Sequence, residues 1–356
     1  MSKIEIKDLE KQQRQGEELD LDILLPWIES QGLKLKGTPA ITQFSGGASN
    51  WTYRLKFDNR DIILRRAPLG KKAGGAHNMP REYHLQKKLK PHYAYVPEMI
   101  AVCEDEEVLG STFYLMDRLE GMIPRKNLPK EVSWNKDLTN ALCYSFWDKM
   151  IELHQVDYLK EGLDTLGKGE GYVERQITGW NKRYADAKTW NVPAGRKVMK
   201  WLEENMPKEE NLCIIHNDFR LDNVVLDVND PAHIIGVLDW ELAAIGDPLM
   251  DLGSSLAYWV HEDDNFFIKS MRRQPSNANG MIKRDEVIQY YAQKTGRSID
   301  DFRFYRVYGL FRLAGIAQQI YYRYSKGFTK NKAFKNFWII SVYLIKTCQN
   351  VMKQKA

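Results

Sequence analysis

The chain of 356 residues has little cysteine, and its cysteines are not paired along the sequence. The four lie 40, 70 and 135 residues apart, and there is no CxxC pair. Disulfide frameworks and structural zinc sites both need closely spaced ligands, so this spacing argues against either. The expectation is four buried free thiols: Cys103, Cys143, Cys213 and Cys348.

Long hydrophobic runs are also missing. Near the C-terminus the longest one, Phe337 to Ile345, has nine residues and contains Ser341. A helix that spans a bilayer needs about 20 apolar residues. The first twenty residues are charged and lack the apolar stretch of a secretory signal. We therefore expect a cytoplasmic protein without a membrane partner.

The last part of the chain has no acidic residue. After Asp301 there are eleven lysines and arginines and no aspartate or glutamate. Such a segment favours an anionic partner, for example a carboxylate, a phosphate or coenzyme A. Aromatic and aliphatic residues separate the basic ones at helical spacing, which is typical of a packed amphipathic helix. We expect no nucleic-acid partner, and a solvated helical face remains the alternative reading.

Strand patterns with glycine turns dominate the first 120 residues. The stretch from Ala40 to Arg66 reads as strand, SGGASN turn, strand, DNR turn and strand. One helix follows at Met79–Leu89, and two more strands are predicted at Pro97–Val102 and Ser111–Leu119. Before these elements, residues 1–18 are polar and predicted to be frayed, and Asp20–Gln31 reads as a short helix.

Beyond Glu120-Gly121 the periodicity is mostly helical, interrupted by short apolar strand-like runs between residues 212 and 238. The sequence thus predicts an α+β protein with a small β-rich lobe over residues 1–120. A large, mostly helical lobe is predicted over residues 121–356. No internal repeat or low-complexity tract is present.

The segment from Cys213 to Asp251 carries the strongest chemical signal. His216 is two residues before Asp218, Asn223 follows five residues later, and Asp239 ends the next apolar run. Phosphoryl transfer needs a carboxylate that accepts a hydroxyl proton, and oxygen ligands for magnesium. The spacing favours Asp218 as that base, with Asn223 and Asp239 as metal ligands. The alternative is a surface loop in which aspartate and asparagine only form turns.

This segment resembles the catalytic loop of the aminoglycoside phosphotransferase and choline kinase superfamily, which has a protein-kinase-like bilobal fold. The likeness extends over about residues 25–350 and implies ATP and Mg²⁺ as cofactors. It implies that Glu241 assists in holding the metal and that His216, Asp247 and Asp251 are structural. By the same resemblance, the nucleotide is bound by these residues: Ser45, Gly46, Gly47, Ser49, Asn50, Arg65, Glu82, Met116 and Arg118.

Arg65 stands where protein kinases have lysine, and a guanidinium also binds phosphate well. Glu82 is its expected ion-pair partner, and the backbone from Met116 to Arg118 is the expected adenine-binding edge. The large lobe shapes the acceptor site in this superfamily. Four residues there are candidates, with a helix-core role as the alternative for each: Trp259, Arg312, Tyr322 and Arg323.

Three stretches, FSGGASNWTYRL, DIILRRAP and QQIYYRYSKGF, are similar to the kinase-like domain that some eukaryotes fuse to acyl-CoA dehydrogenases. That resemblance implies phosphorylation of a hydroxyl on a hydroxy acid or hydroxyacyl thioester, by a monomer or homodimer. An aminoglycoside, another amino alcohol or a sugar is the alternative acceptor. A nucleotide-binding module without catalysis is the other alternative, although Asp218, Asn223 and Asp239 are all present.

Overall fold

The structure is a computed structural model that describes residues 10–44, 50–69, 78–208 and 211–354. The chain divides into two compact units. The first combines Met1–Trp134 with Asp222–Leu242, and the second combines Asn135–Leu221 with Ala243–Ala356. A lobe boundary at residue 120 remains a prediction.

A six-stranded sheet organises the first unit, with strand order β1-β2-β3-β4-β6-β5 and antiparallel neighbours throughout. Its strands are β1 Glu10–Lys11, β2 Ala40–Phe44, β3 Trp51–Lys56, β4 Asp61–Arg66, β5 Met99–Cys103 and β6 Phe113–Asp117. Its helices are α1 Leu21–Ser30, α2 Met79–Leu89 and α3 Glu106–Leu109. The strands predicted between residues 40 and 66 are all present.

Within residues 10–18, the described part of the segment predicted to be frayed over residues 1–18, the structure shows ordered contacts. Glu10 and Lys11 form β1 and pair with Phe44 and Gln43 at the edge of the sheet. The Tyr53 hydroxyl donates to the Glu17 carbonyl at 2.6 Å. The order of this segment could not be predicted from its polar composition, because backbone pairing and polar side chains hold it rather than apolar burial.

The pleat of β4 decides which of two neighbouring arginines faces which layer. Leu64 belongs to the core under α1, whereas Ile63 packs with Met79 and Tyr83 of α2. Because side chains alternate along a strand, Arg65 shares the α2 face with Ile63. Arg66 lies on the opposite face, where it donates to the carbonyls of Leu109 and Glu17 and stacks on Trp51 and Tyr53.

Helices make up most of the second unit. They are α4 Lys136–His154, α5 Tyr172–Asp186, α6 Arg196–Glu204, α7 Pro248–Ala257, α8 Phe266–Ser270, α9 Arg284–Thr295, α10 Arg303–Ser325 and α11 Phe337–Val351. Short strands β7 (Cys213–Ile215) and β10 (Ala244–Gly246) pair in this unit, while β8 (Val224–Leu226) and β9 (Ile234–Val237) pair in the first. The predicted α+β class is confirmed.

Two glycines let α7 and α10 approach closely. A Cβ on Gly309 would lie 2.1 Å from the Gly253 carbonyl oxygen, and one on Gly253 would lie 2.4 Å from the Tyr305 carbonyl oxygen. These contacts are with backbone atoms, so no side chain can move aside to make room. The crossing therefore depends on both positions lacking a side chain.

The four cysteines are free and buried, as expected. Within the described ranges, no helix is both long and apolar enough to cross a bilayer.

Candidate active site

The loop that carries Asp218 begins where β7 ends, and one buried carboxylate fixes its backbone. Asp251 of α7 accepts from the backbone N–H groups of His216 and Asn217, both at 2.8 Å. Its carboxylate also lies 3.2 Å from His154 Nε2. Burial alone would raise the pKa of Asp251, but the hydrogen bonds and the His154 ring outweigh burial, so the pKa is lowered. This geometry agrees with the structural role expected of Asp251.

The residue before Asp218 has an unusual backbone conformation. Asn217 has a φ of 65°, in the left-handed region that side chains seldom adopt. Three neighbours hold it: Asp251 receives its N–H, the Tyr172 hydroxyl donates to its side-chain oxygen, and Arg312 Nη2 donates to its carbonyl at 2.8 Å. Because Arg312 is buried and bonds to the Asn217 carbonyl, it helps to hold the conformation of this loop.

Asp218 itself has a cation beside it. Arg220 Nη2 lies 3.3 Å from an Asp218 carboxylate oxygen, and both side chains are about one-fifth exposed. The Arg220 guanidinium also stacks on the Tyr258 ring, 5.0 Å from its centroid. The side chain of His216 turns back to the loop, since the Asp218 N–H points to its Nδ1 at 3.2 Å. Arg220 lies between Asp218 and Asn223. The spacing that predicts a role for those two residues predicts none for the residues between them.

In the first unit, a buried charge cluster joins β4, α2 and the segment after β9. Arg65 Nη1 lies 3.0 Å from Glu82 Oε1, and its Nη2 lies 2.9 Å from Asp239 Oδ1. The Tyr114 hydroxyl donates to Glu82 Oε1 at 3.0 Å. Burial raises the pKa of Glu82 despite the attraction of Arg65. Tyr114, in β6, is a member that the sequence pattern did not single out.

Strand pairing brings the two expected metal ligands together. Val224 pairs with Val237, and the Leu238 N–H donates to the Asn223 carbonyl at 2.8 Å. Asp239 follows directly, with a φ of 70°. Such a conformation is uncommon for aspartate and often marks functional positions. Glu241, two residues on, accepts from the side-chain amide of Asn50 at 2.9 Å.

These residues line a pocket that lies wholly within the first unit. Arg65, Asn223 and Asp239 line it, together with Asn50 and Asp222. Its other walls come mostly from β2, β4, β6, β8 and the turns beside them: Phe44, Thr52, Ile63, Pro97, Met116, Asp117, Arg118, Leu119, Gly121, Ile123, Arg125, Val225 and Leu238. The lining thus mixes apolar side chains with charged and polar ones, a combination found in small-molecule sites.

The expected adenine-binding edge lies on this pocket. Met116 and Arg118 both line it, and so does the next residue, Leu119. The N–H groups of Asp117 and Arg118 already donate to the carbonyls of Glu98 and Asp61. A base bound along this edge would therefore have to pair with carbonyl groups or with the backbone of Leu119.

Several predicted residues lie elsewhere. Ser45, Gly46, Gly47 and Ser49 are outside the described residues. Asp247 caps α7 by accepting from the N–H groups of Leu249 and Met250. Tyr322 and Arg323 lie in the last turn of α10, where Arg323 is exposed.

Trp259 needs a correction. It is fully buried, stacks on Phe146 and donates its indole N–H to the Ile282 carbonyl. Its ring and its indole N–H are both engaged in the core, which favours the core role over the acceptor role. Helical aromatic spacing alone does not distinguish a core position from a pocket wall.

The donor set suits a hard cation that also binds phosphates. Carboxylate and amide oxygens of Asp239 and Asn223 face one pocket, and Mg²⁺ is commonly held by one or two such groups plus substrate phosphates. Among the described residues there is no group of three His, Cys, Asp or Glu that forms a complete cage.

Residues 40–286 match the model of a phosphotransferase enzyme family. The chain belongs to this family. The sequence-based expectation of a phosphotransferase that acts on hydroxyl groups is thereby confirmed. The matched residues include both the first-unit pocket and the loop that carries Asp218.

Curated relatives cover most of this chain, but the chain covers only part of them. It is 32% identical over 294 residues to mouse acyl-CoA dehydrogenase family member 10, covering 82% of this chain and 27% of that protein. It is 33% identical over 303 residues to human acyl-CoA dehydrogenase family member 11, covering 83% of this chain and 38% of that protein. The chain thus spans well under half the length of these relatives.

Solved structures confirm the kinase-like fold. A Ralstonia eutropha JMP134 protein assigned to the aminoglycoside phosphotransferases has a TM-score of 0.80 and 29% identity, covering 95% of this chain and all of that one. Aminoglycoside phosphotransferase APH(4)-Ia, in a ternary complex with ADP and hygromycin B, has a TM-score of 0.60 and 16% identity, covering 93% of this chain and 99% of that one. The second likeness concerns the fold alone.

Proposed function

We propose that the protein transfers the γ-phosphoryl group of ATP to the hydroxyl of a hydroxy acid or hydroxyacyl thioester, in a Mg²⁺-dependent reaction. The observation that carries this proposal is the Arg65–Glu82–Asp239 cluster, whose Arg65 and Asp239 line a pocket with partly apolar walls. A guanidinium held rigidly by two carboxylates is oriented to bind phosphate oxygens. The apolar walls suit a nucleobase.

Asp218 is the proposed base. Its loop is fixed through Asp251, Tyr172 and Arg312, so the carboxylate is oriented before a substrate arrives. In this role Asp218 accepts the acceptor's hydroxyl proton as the oxygen attacks the γ-phosphorus and the bond to the leaving ADP oxygen breaks. Asn223 and Asp239 would hold Mg²⁺, which neutralises charge on the phosphates. Most of the acceleration then comes from positioning and charge stabilisation.

The charges around Asp218 favour an anionic acceptor. The guanidiniums of Arg220 and Arg312 both lie at this loop. A carboxylate acceptor, or the phosphate groups of a coenzyme A thioester, would be attracted to them, whereas a polycationic aminoglycoside would be repelled. Other basic residues of the C-terminal segment, including Lys326 and Lys330, are exposed. Support for an anionic acceptor therefore comes from two arginines and not from the charge of the whole segment.

Phosphorylation of an aminoglycoside, another amino alcohol or a sugar is the second candidate. The observation that favours it is the 29% identity and high TM-score with the Ralstonia eutropha protein. The acceptor panel below separates the two.

The experiment is an ADP-formation assay with MgATP and a panel of hydroxy acids, their coenzyme A thioesters and hygromycin B. We expect turnover with the anionic acceptors and about 10²–10⁴-fold loss of kcat in Asp218→Asn, the range for a positioned base. Affinity for the ATP analogue AMP-PNP should stay within about twofold, because the first-unit pocket is unchanged. Asp230→Asn, an exposed carboxylate that closes a turn, is the matched control.

Wild-type turnover by Asp218→Asn would remove Asp218 from the reaction. Turnover only with hygromycin B would favour the second candidate. AMP-PNP binding without ADP formation from any acceptor of the panel would contradict this proposal and favour a nucleotide-binding module.

A further inference from the structure

The segment that follows α7, residues 258–282, carries a buried amide aimed at the catalytic loop. Gln274 is 1% exposed. Its Oε1 accepts from the backbone N–H of Leu221 at 2.7 Å, and its Nε2 donates to the carbonyl of Tyr258 at 3.2 Å. One side chain thus joins the loop three residues beyond Asp218 to the residue that ends α7.

Gln274 is itself firmly placed. Its carbonyl accepts from Arg272 Nη1 at 3.2 Å. Two residues on, the buried Ser276 hydroxyl bonds to both the N–H and the carbonyl of Val260, at 2.9 and 2.8 Å. Gln274 and Ser276 therefore each bond to the chain directly after α7. Of these two residues, Gln274 is the one that also bonds to the catalytic loop.

The contacts of Gln274 also hold Arg220, the cation beside Asp218. Arg220 directly precedes Leu221, and its guanidinium stacks on the ring of Tyr258, whose carbonyl Gln274 holds. Gln274 consequently fixes both the backbone next to Arg220 and the residue on which Arg220 rests. A shift of either would move the guanidinium that lies 3.3 Å from Asp218.

We propose that Gln274 is a positioning residue for phosphoryl transfer, which holds the Asp218 loop and the Arg220 side chain in their working arrangement. The inference rests on the proposed function, since it takes Asp218 as the base. Loss of the amide would leave the Leu221 N–H buried without its acceptor, a costly state that the loop relieves by opening. Small displacements of a catalytic group cause large losses of rate.

The test compares Gln274→Met with Ser276→Ala. Methionine keeps the length of the side chain but cannot make the two hydrogen bonds of Gln274 to Leu221 and Tyr258. Ser276→Ala removes two equally buried hydrogen bonds that do not reach the loop. For Gln274→Met we expect kcat about tenfold lower, AMP-PNP affinity within about twofold of wild type, and amide exchange of the peptide 216–223 about tenfold faster. Ser276→Ala should change none of the three.

Unchanged kcat and exchange in Gln274→Met would overturn the proposal, as would equal losses in both variants. If Gln274→Met does not fold, Gln274→Asn, whose shorter side chain withdraws the acceptor from the Leu221 N–H, is compared with Ser276→Ala by the same criteria. If the wild type transfers phosphoryl to no acceptor, the proposed function fails. The exchange comparison then still decides by itself whether Gln274 holds the loop.

Discussion

Replacing Asp251 by asparagine tests how the loop that carries Asp218 is held. The wild-type carboxylate accepts two backbone N–H groups at 2.8 Å and faces His154 at 3.2 Å, with no exposure to solvent. Asparagine offers one oxygen, so one of the two N–H groups would meet the amide nitrogen of the new side chain. The variant therefore loses the charge and leaves one buried donor facing another donor.

The magnitude follows from the number and type of bonds. A hydrogen bond to a charged group contributes about 1.5–3 kcal/mol, and the Asp251 carboxylate accepts two of them from backbone N–H groups. The second unit has roughly 200 residues, for which 1 kcal/mol shifts Tm by about 2–4 °C. We expect Asp251→Asn to lower the Tm of this unit by about 10 °C at pH 7.

The pH dependence has a defined sign. The folded state lowers the pKa of Asp251, whereas an aspartate in the unfolded chain titrates near 3.9. Its contribution is therefore fully present above about pH 4 and is lost as the pH falls through the folded-state pKa. The Tm difference between wild type and Asp251→Asn should be constant from pH 7 to 5 and shrink below about pH 4.

Differential scanning calorimetry across that range is the assay. Asp263→Asn is the control, since Asp263 is an exposed carboxylate paired with Lys283 at 2.7 Å. An exposed pair contributes little, so its Tm should stay within about 2 °C of wild type. A shift in Asp251→Asn no larger than that of Asp263→Asn, or one independent of pH, would refute the bracing role.

Two further changes probe the cluster and the helix crossing. Glu82→Gln removes one of two carboxylates that orient the Arg65 guanidinium. Calorimetric titration should then give a Kd for AMP-PNP about tenfold higher than that of the wild type. An unchanged Kd would contradict the role of this cluster. Gly309→Ala places a Cβ 2.1 Å from the Gly253 carbonyl oxygen and should cost about 1–3 kcal/mol in urea unfolding. The control Gly179→Ala, where the Cβ meets only the movable end of Arg183, should be neutral or stabilising.

Much of the fold is readable from the sequence because its signals are local. The alternation in WTYRLKF and DIILRR predicts β3 and β4, and the observed strands are Trp51–Lys56 and Asp61–Arg66. The same alternation requires Arg65 and Arg66 to face opposite layers. Resemblance then favoured Arg65 for the pocket, and the pairing of Arg65 with Glu82 and Asp239 agrees with that choice.

Other features depend on contacts between distant parts of the chain. Gln274 lies 53 residues from its partner Leu221, in a stretch whose polar composition reads as an ordinary loop. Tyr114 reads as one more strand residue, although its hydroxyl reaches Glu82. Trp259 shows the opposite error, because an aromatic residue in a helical pattern can be either core or pocket wall until its burial is known.

The central claim is that the first-unit pocket binds a nucleotide together with a divalent cation. Calorimetric titration with AMP-PNP, with and without Mg²⁺, on wild type and Asp239→Asn tests it without knowledge of the acceptor. We predict binding that Mg²⁺ strengthens in the wild type, and loss of that strengthening in Asp239→Asn. Folded wild-type protein that binds no AMP-PNP, or a variant with the same Mg²⁺ dependence, would contradict the account.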